Sequence, residues 1–225
     1  MKADNEVQVT EKDSLIRITE IFYSLQGETR TVGWPTVFIR LTGCPLRCDY
    51  CDTEYAFSGG ERLQIEEILN ATDQYNAHYV TVTGGEPLAQ KNCLLLLKSL
   101  CDKGYDVSLE TSGSVDLTGV DPRVVIVMDL KTPASQEESK NRYENLNLIK
   151  KTDQIKFVIC DRNDYEWSKQ QIADHNLTEK AEILFSPVHG EKMARQLADW
   201  ILQDNLAVRF QLQLHKYLWN DEPGR

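Results

Sequence analysis

Residues 43–53 read Gly43-Cys44-Pro45-Leu46-Arg47-Cys48-Asp49-Tyr50-Cys51-Asp52-Thr53, which places three cysteines within eight residues. Three residues separate the first two cysteines, and two residues separate the last two. Thiolates are soft ligands that suit iron–sulfur clusters and zinc, and a loop this short can direct three sulfurs toward one centre. Three thiolates leave one iron of a 4Fe–4S cube without a protein ligand. The stretch therefore predicts a cluster with one open iron.

Two alternatives remain open for these cysteines: a zinc site that lacks one ligand, or three thiols of a hydrophobic core. A structural zinc site requires a fourth Cys or His close by, and the nearest candidates downstream are His78 and Cys93. Such close spacing disfavours three inert core thiols. Tyr50 could lay an aromatic face beside a ligand of the open iron. The other cysteines, Cys93, Cys101 and Cys160, occupy apolar or helical contexts and are interpreted as buried or spare.

Length and composition predict one globular domain. The chain has 225 residues, of which 41% are hydrophobic and 27% charged, as is usual for a globular protein. A net charge of −10 argues against a nucleic-acid or anionic-membrane partner, because phosphate binding depends on Lys and Arg. The sequence shows neither a membrane-spanning run nor a signal-peptide core. We therefore expect a cytoplasmic protein with reduced thiols.

The order of strand and helix patterns predicts an α/β fold. Residues 1–14 are polar and are expected to form a flexible tail, whereas 15–225 form the single domain. Residues 22–35 are expected to be a loop and 132–142 a flexible excursion. Repeated strand–helix units imply a parallel sheet with right-handed crossovers, open or curled into a partial barrel. Strands are predicted at 15–21, 36–42, 78–83, 106–110, 124–128, 154–159, 182–186 and 207–213, and helices at 62–75, 88–103, 163–176 and 191–203.

Residues with chemical potential collect where the predicted strands end. Ligands of parallel α/β folds bind at the carboxyl ends of the strands. One such end carries Thr83-Gly84-Gly85-Glu86-Pro87, in which the two glycines allow a close approach of backbone to ligand. A tight turn is the alternative explanation for the glycine pair. Arg40 is the only charge of the second strand and falls near its carboxyl end, shortly before the cysteine loop.

The cysteine loop, with an aromatic residue before its last cysteine, resembles that of the radical S-adenosylmethionine (SAM) enzymes, and Thr83–Pro87 resembles their glycine motif. The resemblance implies a partial TIM-like barrel, a 4Fe–4S cluster on Cys44, Cys48 and Cys51, and SAM chelated at the open iron. An electron from the cluster then cleaves SAM to a 5′-deoxyadenosyl radical. The SAM contacts that the resemblance implies are Tyr50, Cys51, Asp52, Gly85, Asp129, Leu130, Lys131, Phe185, Ser186, Pro187 and Val188.

A wider set of motifs resembles one family, the 7-carboxy-7-deazaguanine synthases: Ser24–Glu28, Phe38–Leu41, Gly43–Pro45, Cys51–Thr53, Thr83–Pro87, Glu110–Gly113 and His215–Leu218. That family converts 6-carboxy-5,6,7,8-tetrahydropterin to 7-carboxy-7-deazaguanine with loss of ammonia, on the route to queuosine. The resemblance implies Mg²⁺ on the Thr53 hydroxyl, an electron donor such as a flavodoxin, and a homodimer. Substrate contacts are implied for Leu25, Gln26, Gly27, Arg40, Thr83, Gln213 and His215.

Several of these assignments have structural alternatives. Arg40 could form an ion pair, Thr53 could cap a helix, and His215 could be a core histidine with satisfied hydrogen bonds. The chain has Asp129-Leu130-Lys131 where some members of the family have Ser-Pro-Lys, which leaves the contacts to the SAM ribose open. The rival functions are a glycyl-radical activase, which acts on a partner protein, and a non-catalytic metal-binding module.

Overall fold

The computed structural model describes residues 14–220, 222 and 224. Of the tail predicted at 1–14, all but Ser14 lies outside the described residues. The described strands are β1 (Leu15–Leu25), β2 (Pro35–Leu41), β3 (Glu61–Gln64), β4 (Tyr79–Gly84), β5 (Asp106–Thr111), β6 (Val125–Asp129), β7 (Gln154–Ile159), β8 (Glu182–Pro187) and β9 (Arg209–Phe210). The α-helices are α1 (Ile65–Asp73), α2 (Cys93–Asp102), α3 (Arg162–Asp174), α4 (Leu177–Lys180), α5 (Glu191–Gln203) and α6 (Leu214–Trp219).

Within the described residues the nine strands form one sheet, in the order β3-β1-β2-β4-β5-β6-β7-β8-β9. Neighbouring strands pair parallel along the run β2-β4-β5-β6-β7-β8-β9. Strand β1 pairs antiparallel with both β2 and β3. The end strands β3 and β9 do not pair with each other, so the sheet is unclosed. This architecture confirms the predicted partial barrel of mainly parallel strands.

Alternation along each parallel strand separates a hydrophobic core from a polar interior. On β7, Ile155, Phe157 and Ile159 belong to the core between sheet and helices, whereas Lys156 and Val158 face the cavity of the barrel. Strands β4, β5 and β6 follow the same rule, with Val80, Val82, Val107, Leu109, Ile126 and Met128 in the core. Every second residue of these strands is therefore available to a site inside the barrel.

Several predicted boundaries are wrong. β1 continues to Leu25, so four residues of the predicted loop are strand. The helix expected at 62–75 is shorter, because 62–64 belong to β3. The helix expected from 88 begins at Cys93, after a 3₁₀ turn at Pro87–Ala89. The strand expected at 207–213 covers only Arg209–Phe210, and α6 was not predicted.

The segment 132–142 is anchored, contrary to the predicted flexible excursion. Thr132 and Ser135 are fully buried. The hydroxyl of Thr132 donates to Val158 O at 3.0 Å, and that of Ser135 donates to Thr132 O at 2.6 Å. The Ser135 hydroxyl thus bonds within the segment and the Thr132 hydroxyl ties it to β7, which anchors its first residues, whereas Gln136, 138–140 and Arg142 are exposed.

None of the helices in the described part of the chain is long and apolar enough to cross a bilayer.

Candidate active site

A cavity of about 480 Å³ opens at the carboxyl ends of the parallel strands. All but two of the residues predicted to form the site line it. The two exceptions, Leu130 and Phe185, lie in the hydrophobic core with 1% and 0% of their surface exposed. Their side chains point away from the cavity because they alternate with Asp129, Lys131 and Ser186, which line it. The structure therefore gathers the predicted residues into one place, while their individual roles stay predictions.

The cysteine loop forms one wall of this cavity. Cys44, Cys48 and Cys51 all line it and are partly buried. The guanidinium of Arg47 holds the loop by donating to Cys44 O at 2.8 Å and Leu46 O at 2.6 Å. Burial raises the pKa of the Cys48 thiol to about 11, and the ammonium of Lys131 opposes this rise. Three thiols on one wall, beside a cation that balances thiolate charge, fit a cluster held by three sulfurs.

The glycine pair at the end of β4 packs directly against the end of β2 and the start of the cysteine loop. A Cβ on Gly85 would overlap Gly43 O and the Cβ of Cys44, and a Cβ on Gly84 would overlap Leu41 O. Gly84 also has a φ of +155°, which favours glycine. Both glycines are therefore required by close packing, and the same packing leaves Gly85 on the cavity wall.

Glu86 ties the glycine turn to the next strand, a role that the sequence did not indicate. Its carboxylate is fully buried and accepts hydrogen bonds from Leu88 N at 3.1 Å, Thr111 Oγ1 at 2.9 Å and Ser112 N at 2.8 Å. Such bonding compensates the cost of burying the carboxylate. Glu86 does not line the cavity, so it supports the wall from behind.

A buried charge network crosses the interior of the barrel. The ammonium of Lys156 lies 3.0 Å from Glu28 Oε2 and 3.6 Å from Asp129 Oδ2, and Lys131 lies 3.1 Å from Asp129 Oδ2. The other oxygen of Asp129, Oδ1, is buried without a hydrogen-bond partner among the described residues. Because buried polar atoms are nearly always bonded, this orphan oxygen indicates a place for a ligand.

Two carboxylates at the floor of the cavity have pKa values shifted in opposite directions. Burial alone would raise the pKa of Glu28, but Lys156 and His215 outweigh it and lower that pKa to about 2. Burial and the neighbouring Glu28 raise the pKa of Glu110. The Glu110 carboxyl accepts from Gln26 Nε2 at 3.2 Å and from Thr83 Oγ1 at 3.0 Å. The floor thus combines one firmly ionised acid with one that takes up a proton more readily.

Helix α6 and Gln213, the residue before it, border the cavity and contact two of its walls. Leu214 N donates to Gly27 O at 3.1 Å, and Gln213 Nε2 donates to Glu28 Oε1 at 3.0 Å. Lys216 forms a 2.8 Å ion pair with Asp52 in the cysteine loop. Burial would raise the pKa of Asp52, but the bond and charge of Lys216 hold it well below its usual range.

His215 lies against Gly27, where an added Cβ would stand 2.6 Å from its Nδ1. Its Nε2 is 3.8 Å from Glu28 Oε1. This side chain lines the cavity and is 23% exposed, so it lies at the cavity wall and is not enclosed in the core. Gln213, the residue before α6, lines the same cavity.

Thr53 and Arg40 each make a side-chain contact that bears on the structural alternative given for it, a helix cap for Thr53 and an ion pair for Arg40. Thr53 precedes a 3₁₀ turn, Glu54–Phe57, but its side chain makes no capping bond; the hydroxyl donates instead to Asp52 Oδ1 at 2.8 Å. Arg40 does form an ion pair, with Glu20 at 2.7 Å, and also lines the cavity.

Sequence reasoning missed Glu28, Glu110, Lys156 and Lys216 as site residues, although all four line the cavity. One signal was available for Lys156, which is the only charged residue of the strand Gln154–Ile159. A charge that alternates with core positions in a buried strand must face an interior site. Glu28, Glu110 and Lys216 lay within the motifs Ser24–Glu28, Glu110–Gly113 and His215–Leu218, but no role was assigned to them, and the helix that presents Lys216 was not predicted.

The unclosed parallel barrel and the three-cysteine loop at its carboxyl end define the class of protein. The model of the Radical SAM superfamily matches residues 38–128, from β2 to β6. Membership of this class implies a 4Fe–4S cluster and SAM. QueE from Escherichia coli has the same fold in its crystal structure, with a TM-score of 0.77 and 23% identity, over 94% of this chain and 99% of that one.

Full-length relatives narrow the class to one family. A 7-carboxy-7-deazaguanine synthase of Chlorobaculum tepidum is 44% identical over 92% of this chain and 96% of its own length. A protein of the same name from Koribacter versatilis is 41% identical over 92% of this chain and 98% of its own length. The chain therefore belongs to the 7-carboxy-7-deazaguanine synthase family.

Proposed function

We propose that this chain converts 6-carboxy-5,6,7,8-tetrahydropterin to 7-carboxy-7-deazaguanine with loss of ammonia, in the biosynthesis of queuosine and related 7-deazapurines. The observation that carries the proposal is one cavity that has a thiol-bearing wall and a hydrogen-bonding floor. The three thiols lie on one wall, and the hydrogen-bonding groups of Gln26, Glu28 and Glu110 lie on the floor. A radical cofactor and a polar heterocycle can therefore meet in the same space.

Cys44, Cys48 and Cys51 would hold the cluster, and the open iron would take SAM. When bound, this pair supplies one-electron reduction and hydrogen-atom abstraction; the protein supplies position and exclusion of water. The orphan Asp129 Oδ1 would accept a hydrogen bond from a hydroxyl of SAM, while Lys131 pairs with the other oxygen of Asp129 at 3.1 Å. Gly85 would admit the methionine end, with Tyr50, Cys51 and Asp52 around it. Ser186, Pro187 and Val188 would border the adenosine, next to the core residues Leu130 and Phe185.

The floor of the cavity suits the aminopyrimidinone edge of a pterin, which presents N–H donors beside a carbonyl. Glu28 is a fixed acceptor because Lys156 holds it ionised at 3.0 Å. Glu110, with its raised pKa, accepts or donates as the ring requires. Gln26 Nε2 already spans Thr81 Oγ1 and Glu110 Oε1, each at 3.2 Å, so the floor is organised before any ligand binds. Leu25, Gly27, Thr83, Gln213 and His215 complete the enclosure.

The substrate carboxylate is assigned to Arg40 and to a magnesium ion on Thr53. A planar guanidinium matches a carboxylate with two parallel hydrogen bonds. Magnesium is a hard cation that takes oxygen ligands and is commonly shared with substrate. The Thr53 hydroxyl donates its proton to Asp52 Oδ1 at 2.8 Å, which leaves its oxygen lone pairs directed elsewhere for a cation.

The proposal also includes an external one-electron donor such as a flavodoxin, a homodimer and a cytoplasmic location. The donor follows from the chemistry, because the cluster must first be reduced by one electron before SAM can be cleaved. A reducing compartment keeps the three thiols available to iron. The homodimer rests on the family resemblance.

Anaerobic turnover tests the proposal. Protein reconstituted with iron and sulfide is mixed with SAM, reductant, Mg²⁺ and the carboxylated tetrahydropterin, and products are identified by mass. We expect 7-carboxy-7-deazaguanine and ammonia in equal amounts. Cleavage of SAM without any deazaguanine would contradict the assigned substrate, and an absence of both the cluster and SAM cleavage would contradict the assigned class.

A further inference from the structure

Glu20 lies on the face of β1 that is directed into the barrel, because the strand contains an irregularity. The β1–β2 register shifts between Ile18 and Glu20. Ile16 and Ile18 are core residues, whereas Phe22, which has the same parity, lines the cavity. A one-residue bulge reverses the two faces of a strand beyond it. The bulge thus moves Glu20 from the core face to the interior face, where it lies directly opposite Arg40.

Glu20 binds Arg40 through one particular nitrogen. Arg40 Nε donates to Glu20 Oε1 at 2.7 Å, and Tyr55 OH donates to the same oxygen at 2.8 Å. Tyr55 belongs to the 3₁₀ turn Glu54–Phe57, which begins immediately after Thr53. One carboxylate oxygen of Glu20 on β1 therefore bonds both to Arg40 on β2 and to Tyr55 in the turn that follows the cysteine loop.

Aromatic rings fix the plane of the same guanidinium. Arg40 Cζ lies 5.7 Å from the ring centroid of Phe22 and 5.8 Å from that of Tyr55. Phe22 is itself stacked on Phe38, with centroids 5.0 Å apart. Ring faces attract a guanidinium within about 6 Å. With Nε bonded and two rings beside it, the group has little freedom to rotate.

The ends of the guanidinium are left for a ligand. In the described part of the chain, no hydrogen bond joins Arg40 Nη1 or Nη2 to another residue, and 16% of the side chain is exposed. Arg40 lines the cavity, whereas Glu20 does not. The two Nη groups form the fork that pairs with a carboxylate.

We propose that Glu20 and Tyr55 are positioning residues that aim the Nη fork of Arg40 at the carboxylate of the substrate. The inference rests on the proposed function and extends it to residues that the family resemblance did not assign. A purely electrostatic role for Glu20 predicts the opposite behaviour: removing an anion beside Arg40 would strengthen carboxylate binding. An experiment can therefore distinguish a role of Glu20 in orienting Arg40 from a role in neutralising the charge of Arg40.

The test compares two ligands that differ by one group. Holoprotein with cluster, SAM and Mg²⁺, but without reductant, is titrated anaerobically with the 6-carboxylated tetrahydropterin and with unsubstituted tetrahydropterin. In Glu20→Ala we expect the dissociation constant of the carboxylated ligand to rise about tenfold, as for the loss of one charge-assisted bond, while that of the unsubstituted ligand stays constant. Glu20→Gln, which keeps an acceptor oxygen, should retain most of the affinity, and Tyr55→Phe should lose a smaller part.

Two outcomes overturn the inference. One is an unchanged or tighter affinity of Glu20→Ala for the carboxylated ligand. The other is an equal loss for both ligands, which would indicate a general disturbance of the fold. Failure of the proposed function has a different signature: the wild-type protein would itself not distinguish the carboxylated ligand from the unsubstituted one.

Discussion

Lys156 Nζ and Glu28 Oε2 lie 3.0 Å apart inside the barrel, although 128 positions separate the two residues in the sequence. Lys156 comes from the middle of β7 and Glu28 from the loop after β1. Their side chains are 12% and 20% exposed, so neither charge is well hydrated. The pair connects the floor of the cavity to Asp129, which lies 3.6 Å from the same ammonium.

Replacing Lys156 by Met should destabilise the protein by about 3 kcal/mol, because removal of one partner leaves a buried charge uncompensated. The measurement is urea unfolding of the metal-free chain at neutral pH. Arg142→Ala is the matched control, because its pair with Asp116 is exposed by 44% and 48% and should contribute less than about 1 kcal/mol. Equal effects of the two substitutions would refute a buried electrostatic role for Lys156.

The same pair should make folding stability depend on pH. Burial raises the pKa of Glu28, but Lys156 and His215 reverse the shift and lower it from 4.5 to about 2. A lowered pKa contributes stability that is complete above pH 4.5 and is lost as the pH falls toward about 2. Glu28→Gln should be less stable at neutral pH and should lose less stability across this range.

Unfolding at several pH values measures that difference. Because Glu28 itself helps to raise the pKa of Glu110, both proteins are compared in a Glu110→Gln background, which isolates Glu28. Glu179→Gln serves as control because that side chain is 84% exposed. An acid profile of Glu28→Gln that is parallel to the wild-type profile would show that Glu28 keeps an ordinary pKa.

Cys48→Ala should abolish assembly of the cluster, because each of three thiolates is needed to hold a 4Fe–4S cube. Iron and sulfide content after anaerobic reconstitution, together with the charge-transfer absorption, measure the loss. Cys160→Ala is the control, since Cys160 does not line the cavity. A full complement of sulfide in Cys48→Ala would show that Cys48 is not a ligand of the cluster.

Thr53→Ala should weaken the response to magnesium and leave the cluster intact. Loss of one oxygen ligand should raise the Mg²⁺ concentration for half-maximal activity by about tenfold, which corresponds to about 1.4 kcal/mol. Thr53→Ser should restore the response, and Thr118→Ala, which lies outside the cavity, should behave as wild type. An identical magnesium dependence in Thr53→Ala would assign the ion to other ligands.

Much of the architecture was predictable because local patterns and global fold agree. The strand Gln154–Ile159 and the helix Glu191–Gln203 have the predicted bounds, since each has a clear period and clear ends. The cysteine loop and the glycine pair were visible because their chemistry resides in contiguous residues. Because both motifs lie at the carboxyl ends of parallel strands, they could be predicted to meet at the same edge of the sheet.

The remainder depends on long-range contacts that no local pattern contains. A register shift at Ile18/Glu20 turns β1 over, and nothing in its alternation reveals where the shift falls. Helix α6 is short, and its docking relies on Gly27 and Asp52, more than 150 positions away, through Leu214 N and Lys216 Nζ. Glu86 is buried by partners supplied from β5. These residues become informative only in three dimensions.

The number of 7-carboxy-7-deazaguanine molecules formed per SAM consumed tests the central claim most directly. The proposed conversion loses only ammonia and is redox-neutral, so the hydrogen taken from the substrate can be returned and SAM regenerated. We therefore predict many products for each SAM lost, identified by mass from the carboxylated tetrahydropterin under anaerobic reduction. A contradictory result would be stoichiometric formation of 5′-deoxyadenosine with no deazaguanine, from protein that carries a complete cluster.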